Sequence, residues 1–208
     1  MTRDYPARPH RSAASRAERR GEAQGKSSRE PSRRLFVACD LPAEIATAVG
    51  RWQDAELAVH DEVRVVRTLH VTLCFLGNVA ERRVVEIGAA LGALRLQSLP
   101  TALGDPLFLP EKGVKRVVAL SLDDPAAKLV ATQQAVSETL VGLGVYEPER
   151  RPWLAHLTVA RYRRPGHPFP LQNVNIRAFG LPSVILYASL LERGGAVHTP
   201  LATFPAED

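Results

Sequence analysis

Two observations predict an α+β fold with antiparallel sheets for this 208-residue chain. Helical and strand patterns are interspersed along the sequence, and many of the strand runs stand beside hairpin-like turns rather than between helical crossovers. A doubly wound parallel sheet is therefore disfavoured.

The elements follow in order from Arg34. Leu35-Phe36-Val37-Ala38-Cys39 is a short apolar strand closed by Asp40-Leu41-Pro42. Pro42 suits the first turn of a helix, where its missing N–H costs nothing, and Asp40 is placed to cap it. Ile45, Val49, Trp52 and Leu57 continue a helical stripe to about His60. Val63–Val66 and Leu69–Leu76 read as strands, the second ended by Gly77-Asn78, and Val84, Ile87, Leu91 and Leu94 mark a helix over 80–97. Residues 101–109 and Val117–Leu122 are strands around a Glu111-Lys112-Gly113 turn. Asp123-Asp124-Pro125 then opens a third helix, which runs to about Leu143. Leu154–Tyr162 is a further strand, and Val174–Phe179, Ser183–Glu192 and Ala196–Phe204 are three more strand-like stretches.

Charge divides the chain. Residues 1–34 hold ten Lys and Arg against four Asp and Glu, with no Ile, Leu, Val, Phe or Trp; the rest is close to neutral. Such a segment cannot bury enough apolar surface to offset its ordering entropy. Residues 1–33 are therefore expected to be a disordered basic tail, able to add sequence-blind affinity for RNA phosphates or simply to stay solvated. The folded domain is expected over 34–208. Arg33-Arg34-Leu35-Phe36 with Cys39 looks like an export signal, but the apolar run after it is far short of a signal core. No apolar stretch is long enough to span a membrane, and two cysteines make no disulfide scaffold, so a cytoplasmic protein is expected.

One pattern occurs twice: His70-Val71-Thr72-Leu73 and His156-Leu157-Thr158-Val159. With six His and ten Thr in the chain, chance supplies about 0.3 His-x-Thr triplets. In a strand, residues i and i+2 share a face, so each copy sets an imidazole beside a hydroxyl. Two imidazoles near neutrality can hold opposite protonation states, as an in-line displacement at phosphorus requires: one deprotonates the nucleophile, the other protonates the leaving oxygen. Thr72 and Thr158 can donate to phosphate oxygens, and Arg161 supplies a forked cation of matching geometry. No residues at metal-ligand spacing accompany the motifs, and His10, His60, His167 and His198 read as surface or loop residues. Cys74, on the His70 strand, is read as a small buried residue in preference to a thiol nucleophile.

These motifs, with Arg34-Leu35-Phe36-Val37-Ala38, Asp40-Leu41-Pro42 and Phe75-Leu76-Gly77, resemble the two-histidine phosphoesterases. Among them the likeness is to the RNA 2′,3′-cyclic phosphodiesterases, also called 2′-5′ RNA ligases, from Arg34 to about Phe204. The resemblance implies two pseudo-symmetric lobes around a central cleft, each an antiparallel sheet backed by helices. It implies a monomeric enzyme without cofactor or metal that opens RNA 2′,3′-cyclic phosphate ends, with His70 as proton donor and His156 as proton acceptor. Reversible 2′-5′ joining of RNA is the same chemistry with a ribose hydroxyl replacing water. Thr72, Thr158, Arg161 and Phe36 would bind substrate, Phe36 by stacking a nucleobase unless it is an ordinary core residue. The sequence departs from the family in a short Arg64–Leu69 connection, in Ala155 where proline is usual, and in Cys74 where a polar residue is common. A small cyclic nucleotide or ADP-ribose cyclic phosphate is the alternative substrate; a non-catalytic RNA-binding protein is the alternative class.

Overall fold

The computed structural model describes residues 30–193 and 195–207. The order is β1 (Ser32–Asp40), α1 (Ala43–Glu56), β2 (Val63–Val65), β3 (His70–Ala80), a 3₁₀ turn, α2 (Val84–Gly92), β4 (Leu99–Leu109), β5 (Lys115–Asp123), α3 (Lys128–Gly142), β6 (His156–Gly166), β7 (Phe179–Leu181), β8 (Ser183–Glu192) and β9 (Gly195–Pro205). The strands form one path, β7-β4-β5-β6-β3-β1-β8-β9, with β2 beside β6. All the named pairings are antiparallel. The α+β class and the two-lobed arrangement therefore hold, and the lobes meet edge to edge where Val71 of β3 faces Leu157 of β6.

Pseudo-symmetry is visible in the register. β1 pairs with β3 as β5 pairs with β6: Asp40 faces His70 as Ser121 faces His156, and Ala38 faces Thr72 as Ala119 faces Thr158. Both pairs then slip by one residue at the same place. Leu73 and Val159 are passed over, so Val37 faces Cys74 and Val118 faces Ala160. Each motif strand thus carries a bulge directly after its threonine.

A bulge disrupts the ladder, and a buried carbonyl released from it needs another donor. Two helices supply one each. Gln53 of α1 is fully buried and its Nε2 donates to the Val66 carbonyl at 2.7 Å and to the Val159 carbonyl at 2.8 Å, which also accepts from the Val66 N–H at 2.9 Å. Gln133 of α3 donates to the Leu73 carbonyl at 3.4 Å. The helix that precedes each motif in sequence ties the bulge of the other motif, so the two lobes are interlocked.

The apolar core lies between the sheet and the helices. Leu35, Val37, Leu73 and Val159 join Ile45 and Val49 of α1 and Leu129, Val136 and Leu140 of α3. β1 reads as a continuous apolar run because its other face is covered too, by a cluster of Phe36, Ala38, Ile185 and Tyr187. No helix among the described residues is long and apolar enough to cross a membrane.

Several expectations change. The β1 strand begins at Ser32, and Arg33 pairs with Glu81, so the ordered edge starts before Arg34; residues 1–29 of the expected tail lie outside the described residues. The strand expected at Val174–Phe179 contracts to Phe179–Leu181, the part that reaches the β4 edge. Val174 and Ile176 instead pack into the core without a ladder, because alternating burial does not require cross-strand bonds. The 80–97 helix is shorter, since β3 runs on through Ala80 by pairing with Ser32. Asp40 does not cap α1; its carboxylate accepts a 2.7 Å bond from the Tyr187 hydroxyl.

Candidate active site

The two motif histidines open β3 and β6 and are held alike. The Nδ1–H of His70 donates to the Thr68 carbonyl at 3.1 Å, and that of His156 to the Leu154 carbonyl at 2.8 Å. A carbonyl can only accept, so these bonds place the proton on Nδ1 and leave Nε2 as the reactive nitrogen of the neutral ring. The antiparallel Val71–Leu157 pairing sets His70 across from Thr158 and Thr72 across from His156, all four on the face opposite the helices.

A cleft of about 680 Å³ covers this face. His70, Thr72, Thr158, Arg161 and Phe36 all line it; His156 is not in its lining and stands at the adjoining edge, opposite Thr72. Arg34, Arg64 and Arg67 lie around the mouth, with Glu192 the acidic group among the lining residues. Arg34 is stacked on the Phe75 ring at 4.6 Å, and Arg67 is engaged by Asp54. Four arginines against one carboxylate favour an anionic ligand. Among the described residues, no three His, Cys, Asp or Glu side chains are grouped to hold a metal ion.

The bulges decide which residues follow the threonines into the cleft. Simple alternation puts Cys74 on the face of His70 and Thr72, and sends Arg161, five residues from His156, to the opposite side. After the bulges, Cys74 and Ala160 are buried, and Phe75 and Arg161 are exposed to the cleft. Cys74 lies 3.9 Å from the Gln133 amide in the core, and burial pushes its thiol up to about 11. That corrects the sequence placement of Cys74 on the cleft face and leaves it a structural residue.

The two histidines differ in their surroundings. His70 sits against Phe36, with ring centroids 5.1 Å apart, and edge-on to His198 at 5.2 Å. Burial, and then the neighbouring His198, push His70 down to about 4, against the opposing pull of the Thr68 carbonyl and Asp40. Phe36 is 3% exposed: Tyr187 stacks on it at 5.1 Å and His198 meets its edge at 4.8 Å. Little of the ring is left to stack a base in this structure.

His198 is the residue that the sequence reading missed. It lies within an expected strand, but nothing local says that β9 brings it over β1. Only the chain of pairings β1–β8–β9 does so, with Phe36 facing Tyr187 and Ser189 facing His198.

No protein-family model matches the chain. Among curated proteins, the RNA 2′,3′-cyclic phosphodiesterase of Archaeoglobus fulgidus is 32% identical over 133 residues, covering 63% of this chain and 73% of its own. The Escherichia coli K12 protein of the same name is 29% identical over 176 residues, 83% of this chain and 95% of its own length. A longer protein of that name from Geobacillus stearothermophilus, 28% identical, is spanned over 56% of its length. Among solved structures, E. coli LigT complexed with 3′-AMP superposes with a TM-score of 0.71 at 26% identity, over 86% of this chain and all of the other.

Proposed function

The chain belongs to the RNA 2′,3′-cyclic phosphodiesterase family, and from that premise we propose that it hydrolyses RNA 2′,3′-cyclic phosphate ends to 2′-phosphate ends at the β3–β6 cleft. The observation that carries this reading is the matched pair His70 and His156, each fixed through Nδ1 to the carbonyl two residues back and each set across from the other motif's threonine.

The proposed reaction is an in-line displacement. His156 takes a proton from water as the water oxygen bonds to phosphorus; the bond from phosphorus to the 3′ oxygen breaks, and His70 gives that oxygen its proton. The Thr72 and Thr158 hydroxyls donate to the non-bridging oxygens, and Arg161 balances their charge. Phe36 forms the apolar wall on the His70 side. With the 5′ hydroxyl of a second RNA in place of water, the same opening of the cyclic phosphate joins the two ends 2′-5′, the bond from phosphorus to the 3′ oxygen breaking as before. As donor, His70 has to take up a proton with the substrate, since burial keeps it neutral in the free protein; the phosphoryl charge favours that uptake. This neutrality is the observation that favours a second reading, in which His70 is the base and His156 the acid.

The activity is tested with an oligonucleotide ending in a 2′,3′-cyclic phosphate, beside a cyclic mononucleotide, with and without EDTA. Opening of the oligonucleotide to a 2′-phosphate in chelator is expected. Turnover of the mononucleotide alone would move the substrate to a small cyclic nucleotide, and loss in chelator restored by a divalent cation would overturn the two-histidine chemistry.

A further inference from the structure

We propose that His198 is a third substrate-contacting histidine, which donates a hydrogen bond from Nε2 to the phosphoryl group held by His70 and Arg161. The inference rests on the cyclic phosphodiesterase reading of the cleft and adds a residue from outside both repeated motifs.

Three observations support it. His198 lines the cleft, on a strand that neither motif occupies. Its ring stands perpendicular to His70, at 89° and 5.2 Å, and against the Phe36 edge at 4.8 Å, so it forms the wall next to the reactive imidazole. Its Nδ1 is buried with no hydrogen-bond partner. A neutral imidazole has one donor and one acceptor, and an unmet buried N–H is rarer than an under-used acceptor. The proton therefore belongs on Nε2, the nitrogen left to the cleft.

The ligand chemistry follows from the neighbours. Burial, and then Arg161, disfavour the imidazolium form of His198, and His198 adds to burial in disfavouring that of His70. Three cation-capable groups thus meet at a cleft whose described lining carries Glu192 as its acidic residue; Asp40, beside His70, accepts from the Tyr187 hydroxyl. An anion placed among Arg161, His70 and His198 relieves all three, and the phosphoryl group is the anionic part of the substrate. A nucleobase gives no such relief.

The test uses the full chain and three variants: His198→Phe keeps the ring without a donor, His198→Gln keeps an N–H donor, and His198→Leu repeats the donor loss without the ring. Inorganic phosphate is titrated as a competitive inhibitor of cyclic-phosphate turnover, and its binding is measured directly by phosphorus NMR; thermal unfolding verifies each fold. His198→Phe and His198→Leu are expected to weaken phosphate binding and raise KM by about tenfold, the scale of one hydrogen bond to a charged group. His198→Gln is expected to recover most of that loss. Unchanged phosphate affinity in His198→Phe, failure of His198→Gln to recover it, or equal weakening of adenosine and 3′-AMP would overturn the proposal. If the wild-type protein did not turn over the cyclic substrate, the proposed function would fail, and direct phosphate binding would still decide the role of His198.

Discussion

His70 and His156 occupy equivalent places in two half-sites built to one plan. Each opens a strand, holds Nδ1 on the carbonyl two residues back, and is followed by a threonine and a bulge tied to a helix glutamine. Their neighbours are not equivalent. Across from His70 stands Asp40, bonded to Tyr187, and around it are the Phe36 and His198 rings. Across from His156 stands Ser121, whose hydroxyl is turned to the Asp105 carbonyl at 3.2 Å. Two further strands flank each half, β4 and β7 beyond β5 and β8 and β9 beyond β1, and the asymmetry lies in what the latter carry: Tyr187 of β8 and His198 of β9 pack on the Phe36 ring beside His70. A repeated backbone thus delivers two imidazoles in the same pose, and the C-terminal strands make them chemically different. General acid and base need that difference.

The largest expected effect tests whether both half-sites are needed. His70→Ala and His156→Ala should each lower turnover of a cyclic-phosphate end by roughly two to four decades, measured in steady state. Near-wild-type turnover in either variant would break the pairing.

The division of labour comes next. On a cyclic substrate with sulfur at the 3′ bridging position, the leaving group needs little protonation, so the donor's loss should matter less. His70→Ala should recover roughly one to two decades relative to the oxygen substrate, with His156→Ala equally impaired on both. The opposite pattern would exchange the two roles.

The glutamines allow the half-sites to be compared as structures. Replacing Gln53 by Leu leaves the Val66 carbonyl short of a donor, Val159 keeping its bond from the Val66 N–H, and replacing Gln133 by Leu leaves the Leu73 carbonyl short of one, at a cost of about 1–3 kcal/mol each in urea unfolding. Gln53→Leu should cost more, because its amide serves two carbonyls at 2.7 and 2.8 Å while Gln133 reaches Leu73 at 3.4 Å. It should also raise KM, since the Val159 bulge aims Arg161. Equal costs and an unchanged KM would sever the bulge from the site.

The smallest effect is on acid stability. His70 is pushed down to about 4 in the folded protein, whereas an unfolded histidine titrates near 6.5. Between those values the unfolded state binds more protons, so the contribution of neutral His70 is complete above about pH 6.5 and is lost as pH falls towards 4. Unfolding free energies measured between pH 7.5 and 4.5 should fall less steeply for His70→Gln than for wild type. Parallel curves would mean that burial does not distinguish His70.

Much of this protein is local and was legible in its residues. The His-x-Thr repeats, the apolar runs at β1, β3 and β6, and the stripes of α1 and α3 depend on side-chain periodicity within a few residues, and they marked the strands, the fold class and the proposed catalytic pair. The Val174–Phe179 misreading has the same origin: alternation reports burial, and of that stretch the ladder takes in Phe179, which faces Thr101 of β4. What stayed hidden depends on distant partners. An odd spacing of five should have separated Arg161 from His156, and an even spacing of four should have joined Cys74 to His70. A one-residue slip at Val159 and at Leu73 reverses both. Each slip sits at a carbonyl that accepts from a glutamine 106 or 60 residues away, and His198 reaches His70 only through β1, β8 and β9. Strand parity is set by the local chain, but a bulge and a cross-sheet neighbour exist only once other segments have packed, and those contacts completed the site.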